Sequence, residues 1–329
     1  MISRVKIANY KSVELADFEA RRVNVFIGEP NSGKSNLLEA LGFMSPEVLN
    51  LARDVLRVAH TADLFFDGEV TRAISVSAEG RGRWELRYVD RKFSGKIEDE
   101  ARHFEFTLDS DTKMTSFDGV VKRIVESTAS VGTRYYRYRA LRREQWSKDE
   151  YGQLSVPFGD NLPALLTTNK AVRESISALF KSKGFRLQIR PQDHEILMSK
   201  EVEDVIYSYP FEAISETMKR IVFYKAALES NNNAVMVFDE PEANTFPLFT
   251  KYLAERIALD ETNQFFFSTH NPYVLMNVIE KTPQADLAVY ATRMRNYRTE
   301  LYQFTPEDCA EALDLGMDLF LNLDRFFPE

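Results

Sequence analysis

Three short stretches hold residues whose types and spacing could do chemistry on a polyphosphate. Gly28-Glu29-Pro30-Asn31-Ser32-Gly33-Lys34-Ser35 has the full spacing of a phosphate-wrapping loop. The glycines let backbone N–H groups turn inward, and a helix N-terminus behind them adds positive potential. Lys34 reaches the β and γ phosphates of a nucleoside triphosphate, and Ser35 is a hydroxyl ligand for Mg2+. Glu29, Pro30, Asn31, Ser32 and Gly33 form the wall of the loop, and Asn36 follows in the first helical turn. In Ala234-Val235-Met236-Val237-Phe238-Asp239-Glu240 an apolar run ends in two carboxylates. Asp239 is expected in the metal shell and Glu240 as the base that polarises an attacking water. A base beside the γ-phosphate argues for hydrolysis rather than transfer to a protein hydroxyl. Gln264-Phe265-Phe266-Phe267-Ser268-Thr269-His270-Asn271-Pro272 ends another apolar run with His270, which is placed to hydrogen-bond the γ-phosphate and sense its loss.

Such residues need a parallel sheet to hold them, because ligands in open α/β sheets sit at the carboxyl ends of the strands. The pattern supplies one. Residues 1–50 read as strands, with Ile2, Val5 and Ile7 and then Val23 to Ile27, followed by a turn and a helix with Leu37, Leu38, Leu41 and Met44 on one face. Residues 51–210 read as an antiparallel β and helical lobe inserted in this core. Its strands include Arg83 to Val89 and His103 to Leu108, and one helical stretch runs near 161–183. Residues 211–329 return to helix, buried strand, helix, strand, which closes the core from the other end of the chain. The expected fold class is α/β, a mixed or parallel core sheet with an antiparallel β lobe and an inserted α+β lobe. No heptad pattern, internal repeat or low-complexity linker interrupts it.

Composition narrows the function classes. At 329 residues with 44% apolar content the chain can bury a large core. The single Cys309 rules out an intramolecular disulfide, and His60, His103, His194 and His270 are too scattered for a zinc cluster. No long apolar run marks a membrane span, and the opening Met1-Ile2-Ser3-Arg4-Val5-Lys6 shows no signal-like segment, so a cytoplasmic location is expected. The net charge of −8 argues against a surface coated with basic residues, which leaves nucleic-acid contact to local patches. Thr133-Arg134-Tyr135-Tyr136-Arg137-Tyr138-Arg139-Ala140-Leu141-Arg142-Arg143 is one such patch: its arginines and aromatics fit a DNA or RNA groove, and its alternation equally fits a solvated strand face. Arg293, Arg295 and Arg298 form a weaker cluster at an expected hairpin.

The order of loop, Asp-Glu strand and histidine resembles the ABC-type P-loop ATPases. Within them the chain is similar to the soluble branch of SMC proteins, RecF-like repair proteins and the OLD (overcoming lysogenization defect) family, above all to OLD-like ATPases of phage-defence systems. Ile7-Ala8-Asn9-Tyr10-Lys11-Ser12-Val13-Glu14, Asp239-Glu240-Pro241-Glu242-Ala243-Asn244 and Ser268 to Tyr273 carry the likeness, with echoes at Gly159-Asp160-Asn161-Leu162 and Asn322-Leu323-Asp324. The resemblance implies ATP and Mg2+ as cofactors and a head-to-tail homodimer or larger oligomer. In that arrangement a serine at a partner's helix N-terminus caps the γ-phosphate, and Ser215 stands at the matching place. Family glycines after that serine are replaced here by Glu216 and Thr217, so turnover is expected to be slow unless Lys219 or Arg220 rebuilds the cap. His60 to Phe66 falls at the Q-loop position without a glutamine. The stretch after the last core strand is too short for the TOPRIM nuclease of many OLD proteins, and Asp109, Asp111, Asp314 and Asp318 read as turn and helix residues. A nuclease or toxin output therefore calls for a separate effector. The resemblance leaves two other functions open, a RecF-like ATP-dependent DNA clamp and a nucleotide-gated scaffold with little turnover.

Overall fold

A computed structural model of the chain describes residues 1–45, 55, 58–99, 102–108, 133–147 and 152–327. Among them the order is β1 (Arg4–Tyr10), β2 (Val13–Glu19), β3 (Val23–Gly28), α1 (Lys34–Gly42), β4 (Ile74–Ala78), β5 (Gly82–Val89), β6 (Lys92–Asp99), β7 (Arg102–Leu108) and β8 (Thr133–Tyr136). There follow α2 (Leu162–Thr168), α3 (Lys170–Lys181), β9 (Arg186–Arg190), β10 (Glu195–Val202), β11 (Val205–Pro210), α4 (Glu216–Ser230) and β12 (Val235–Phe238). The chain ends with α5 (Pro247–Leu259), β13 (Gln264–Ser268), α6 (Pro272–Lys281), β14 (Leu287–Arg295), β15 (Arg298–Gln303) and α7 (Pro306–Leu315). Two compact units result: Met1–Tyr135 with Asn233–Glu242 and Thr250–Glu329, and Tyr136–Asn232 with Ala243–Phe249.

In the first unit the core sheet has the order β15-β14-β3-β13-β12-β8. β3 pairs in parallel with β13 on one side and β14 on the other, β12 pairs in parallel with β13, and β15 returns antiparallel to β14. Strands covered on both faces should be continuously apolar, and β3, β12 and β13 are buried throughout. Each such side chain contributes roughly 1.5–3 kcal/mol by leaving water. Asn24 is the polar exception in β3. Its side-chain amide is satisfied there, accepting from Arg21 N at 2.8 Å and donating to Phe265 O at 2.9 Å.

A second, antiparallel sheet runs β2-β1-β4-β5-β6-β7. β1 alternates, with Val5 and Ile7 buried and Arg4 and Lys6 exposed, as a half-buried strand must. α1 packs against strands of both sheets, so Leu37, Leu38, Ala40 and Leu41 are all buried. Trp84 of β5 donates to Ala40 O at 3.1 Å and its ring meets Phe43 and Tyr10. Even Glu39 is buried in this helix, where Lys11 pairs with it. The N-terminus of α1, which carries the loop lysine, is therefore fixed by core packing on several sides.

In the second unit β11-β10-β9 form a small antiparallel sheet beside α2, α3 and α4. The helical stretch expected near 161–183 is two helices rather than one. Asn169 breaks it, with an extended backbone and a side chain that accepts from Val172 N at 3.2 Å to cap α3. Asp318 lies in a 3-10 segment after α7 rather than in the helix with Asp314. Asp109 to Asp111 fall outside the described residues. Among the described residues no helix is long and apolar enough to cross a membrane.

Candidate functional site

β3 delivers the loop and α1 receives it. The turn works only because two positions lack a side chain. Gly33 sits at φ 95°, and a Cβ there would lie 1.9 Å from Thr299 Oγ1; at Gly28 it would lie 2.3 Å from Thr292 Oγ1. Lys34 folds back into the loop, donating to Gly28 O at 2.9 Å, Glu29 O at 2.8 Å and Ser32 Oγ at 3.3 Å. Burial pushes its ammonium down to about 8, against the opposing pull of Glu240, Asp239 and Glu29.

The carboxylates arrive from β12 and the histidine from β13, and the parallel register Phe238↔Phe267 brings their tips side by side. Ser35 Oγ donates to Asp239 Oδ1 at 3.1 Å. Ser268 Oγ donates to the same carboxylate oxygen at 2.7 Å and accepts from Glu240 N at 3.0 Å. Glu240 has a left-handed backbone, φ 45°, which ends the strand abruptly; such a conformation costs a non-glycine residue on the order of 1–3 kcal/mol. Its carboxylate lies 3.0 Å from His270 Nε2. One turn further on, Glu242 is buried, and Thr269 Oγ1 donates to it at 2.5 Å, tying the two strand-end loops together. Burial pushes the Glu242 carboxyl up to about 7.

These groups border a cleft of about 890 Å³, lined by the loop from Pro30 to Asn36 together with Glu240 and His270. Pro30 and Asn31 are exposed in its lining and Ser32 and Lys34 are buried there, while Glu29 is exposed just outside it. Asp239 stands behind the lining, against Ser35. A hydroxyl and a carboxylate make a hard-oxygen pair suited to Mg2+, and α1 starts at Gly33 without a side-chain cap, which suits a phosphate. The residues present therefore fit a magnesium–triphosphate group. Among the described residues no cluster of three or more His, Cys, Asp or Glu side chains competes for the metal.

Ser215 is not part of this constellation. It belongs to the second unit, where its Oγ accepts from Met218 N at 3.3 Å and caps α4. Lys219 donates to Glu212 O at 3.2 Å and pairs with Glu216 at 3.2 Å, and Arg220 lies over the Tyr138 ring at 4.7 Å. The Arg-Tyr stretch offers little for base stacking: Tyr135 and Tyr136 are fully buried, and Arg139 covers the Phe158 ring at 4.0 Å. In the hairpin cluster Arg293 pairs with Glu300 at 2.7 Å and Arg298 with Glu14 at 2.6 Å. At the Q-loop position Asp63 accepts from His60 N at 2.7 Å and reaches the cleft wall. Sequence reasoning left out Lys11, Ser12, Ser268, Met294 and Tyr297 as site residues. For Ser268 the signal existed, a hydroxyl at the tip of a buried strand one position before Thr269-His270; for the others it lay in sheet register.

No family model and no curated protein matches the chain in sequence. Among solved structures it is similar to an SMC head bound to the C-winged helix domain of ScpA, with a TM-score of 0.56 and 15% identity over 94% of this chain and 99% of that one. It is also similar to the SMC head domain from Thermotoga maritima, with a TM-score of 0.43 and 14% identity over 92% and 99% of the two chains. Together with the sheet order and the loop, the first likeness defines the fold as that of an ABC-type ATPase head. Within that class the chain shares the architecture of SMC heads.

Proposed function

We propose that this chain binds ATP with Mg2+ in the loop cleft and hydrolyses it, working in the cytoplasm as a homodimer or larger oligomer. One observation carries it: Lys34, Ser35, Asp239, Glu240 and His270, drawn from three separate stretches, converge at one edge of a parallel sheet. Lys34 holds the β and γ phosphates, and the N-terminus of α1 orients them. Ser35 and Asp239 are the metal-side ligands; when bound, Mg2+ neutralises charge on the phosphates. Glu240 takes the proton of the attacking water, and His270, 3.0 Å from that carboxylate, donates toward the γ-phosphate oxygen or holds the base in line.

The finer assignment, a sensor ATPase of an anti-phage defence system with a separate nuclease or toxin effector, is supported by the motif resemblance to OLD-like ATPases. A head-to-tail arrangement with Ser215 facing a partner's γ-phosphate is supported by its place at the start of α4. One observation favours a slow-turnover form, in which the chain is a nucleotide-gated platform. Burial raises the Glu216 carboxyl, yet hydrogen bonds from Tyr138 and Lys219 hold it net below the usual range, so a carboxylate persists beside Ser215.

Steady-state hydrolysis by the purified chain with Mg2+ and ATP tests the proposal. Glu240→Gln should cut kcat by about 10²–10⁴-fold while ATP affinity is kept, and should trap a larger species in light scattering. Equal turnover by the wild type and the variant would remove Glu240 from the chemistry.

A further inference from the structure

The two sides of the loop are built differently. β12 and β13 lie on one side of β3 and bring Asp239, Glu240 and His270. β14 and β15 lie on the other side, and their hairpin tip reaches the same cleft through Met294 and Tyr297. The hairpin is joined to the loop and to α1 by a chain of short contacts. Thr292 Oγ1 meets Ser32 Oγ at 2.6 Å, Thr299 Oγ1 meets Ser12 Oγ at 2.7 Å, and Asn36 Nδ2 donates to Ser12 Oγ at 2.7 Å. Its tip is therefore held in place at the rim, while its two apolar side chains stay open to solvent: Tyr297 is 85% exposed and Met294 41%.

The turn itself does not call for an aromatic residue. Arg295 pairs with Arg298, so Asn296 and Tyr297 are the two turn residues, at φ 51° and 61°. A two-residue turn with both φ values positive is served best by Asn-Gly, and an aromatic residue in the second place is disfavoured by its own backbone. The turns at Asp90-Arg91 and Glu203-Asp204 have the same backbone and no aromatic residue, so the turn does not require the ring.

We propose that Tyr297, with Met294 beside it, is the nucleobase platform of the cleft. The inference rests on the nucleotide function proposed above and names the part of the ligand that the P-loop does not hold. With the γ-phosphate on the Glu240 and His270 side and the β-phosphate at Lys34, the triphosphate runs away from β12 and β13. Its nucleoside end then leaves on the β14–β15 side, where a planar base meets an exposed aromatic face and a polarisable thioether. Stacking on a ring tolerates any base, so the platform supplies affinity, and the loop supplies position.

The test uses the full chain, titrated with Mg-ATP and separately with magnesium tripolyphosphate, which has the phosphates but no base. Tyr297→Gly removes the ring and suits the turn. It should hold or raise the urea midpoint, weaken ATP about tenfold and leave tripolyphosphate affinity unchanged. Tyr297→Phe should bind ATP as the wild type does. A Tyr297→Gly chain that binds ATP as tightly as the wild type, or loses ATP and tripolyphosphate in equal measure, would overturn the platform while leaving the phosphate site standing. A wild-type chain that takes up neither ligand would overturn the nucleotide function and the platform together.

Discussion

Two helices in this molecule begin in opposite ways. α1 starts from Gly33, whose left-handed backbone caps the helix without any side chain, and its next residue is Lys34. α4 starts from Ser215, whose hydroxyl accepts from Met218 N at 3.3 Å, and its next residue is the carboxylate Glu216. Every helix N-terminus presents unsatisfied N–H groups and a partial positive charge. In α4 the chain meets that demand itself, with a hydroxyl and an acidic first turn. In α1 it supplies a glycine and a cation instead, which leaves the positive end to an anion from outside. The difference lies in two residues at each end, and it separates a helix start capped by its own side chain from one without a side-chain cap.

Gly33→Ala should break the α1 arrangement most severely. Its φ alone costs a non-glycine residue on the order of 1–3 kcal/mol, and the new Cβ would lie 1.9 Å from Thr299 Oγ1. The urea midpoint should drop, and calorimetry should show ATP affinity lost with it. An alanine chain as stable as the wild type, with the same affinity, would mean that the cradle does not depend on the bare backbone. At α4 the expected change is smaller. Ser215→Ala should cost about 1 kcal/mol of stability and leave the ATP affinity of the single chain untouched. A tenfold loss of ATP affinity without any loss of stability would make Ser215 a phosphate ligand rather than a cap, and the contrast between the two helices would disappear.

What the sequence made legible was local. The loop is eight residues long, its strand is a continuous apolar run, and the carboxylate pair and His270 each end another such run, so their place at strand ends follows from burial on both faces. The mixed α/β architecture followed from the same runs. Two kinds of feature escaped. The first depends on register between distant strands: Ser268 reaches Asp239 because β13 pairs with β12, and Thr292 and Thr299 press on the glycines because the β14–β15 hairpin flanks β3. The second depends on competition between neighbouring signals. Asn169 falls inside a continuous helical pattern, yet its side chain caps α3 and splits the helix; the stretch with Tyr135 and Tyr136 fits a groove or a solvated strand face equally, yet both rings are core. The same register effect hides Tyr297, whose ring gains meaning only from the loop beside it.

The loop lysine tests the central claim most directly. Mg-ATP titrated into the wild-type chain and into Lys34→Ala, followed by calorimetry, compares the site with and without its buried cation. Loss of a charged hydrogen-bond partner to phosphate should weaken binding by about a hundredfold or more, so the wild type should release heat with micromolar affinity and the variant none. Unchanged micromolar affinity in Lys34→Ala would contradict a triphosphate seated in this loop.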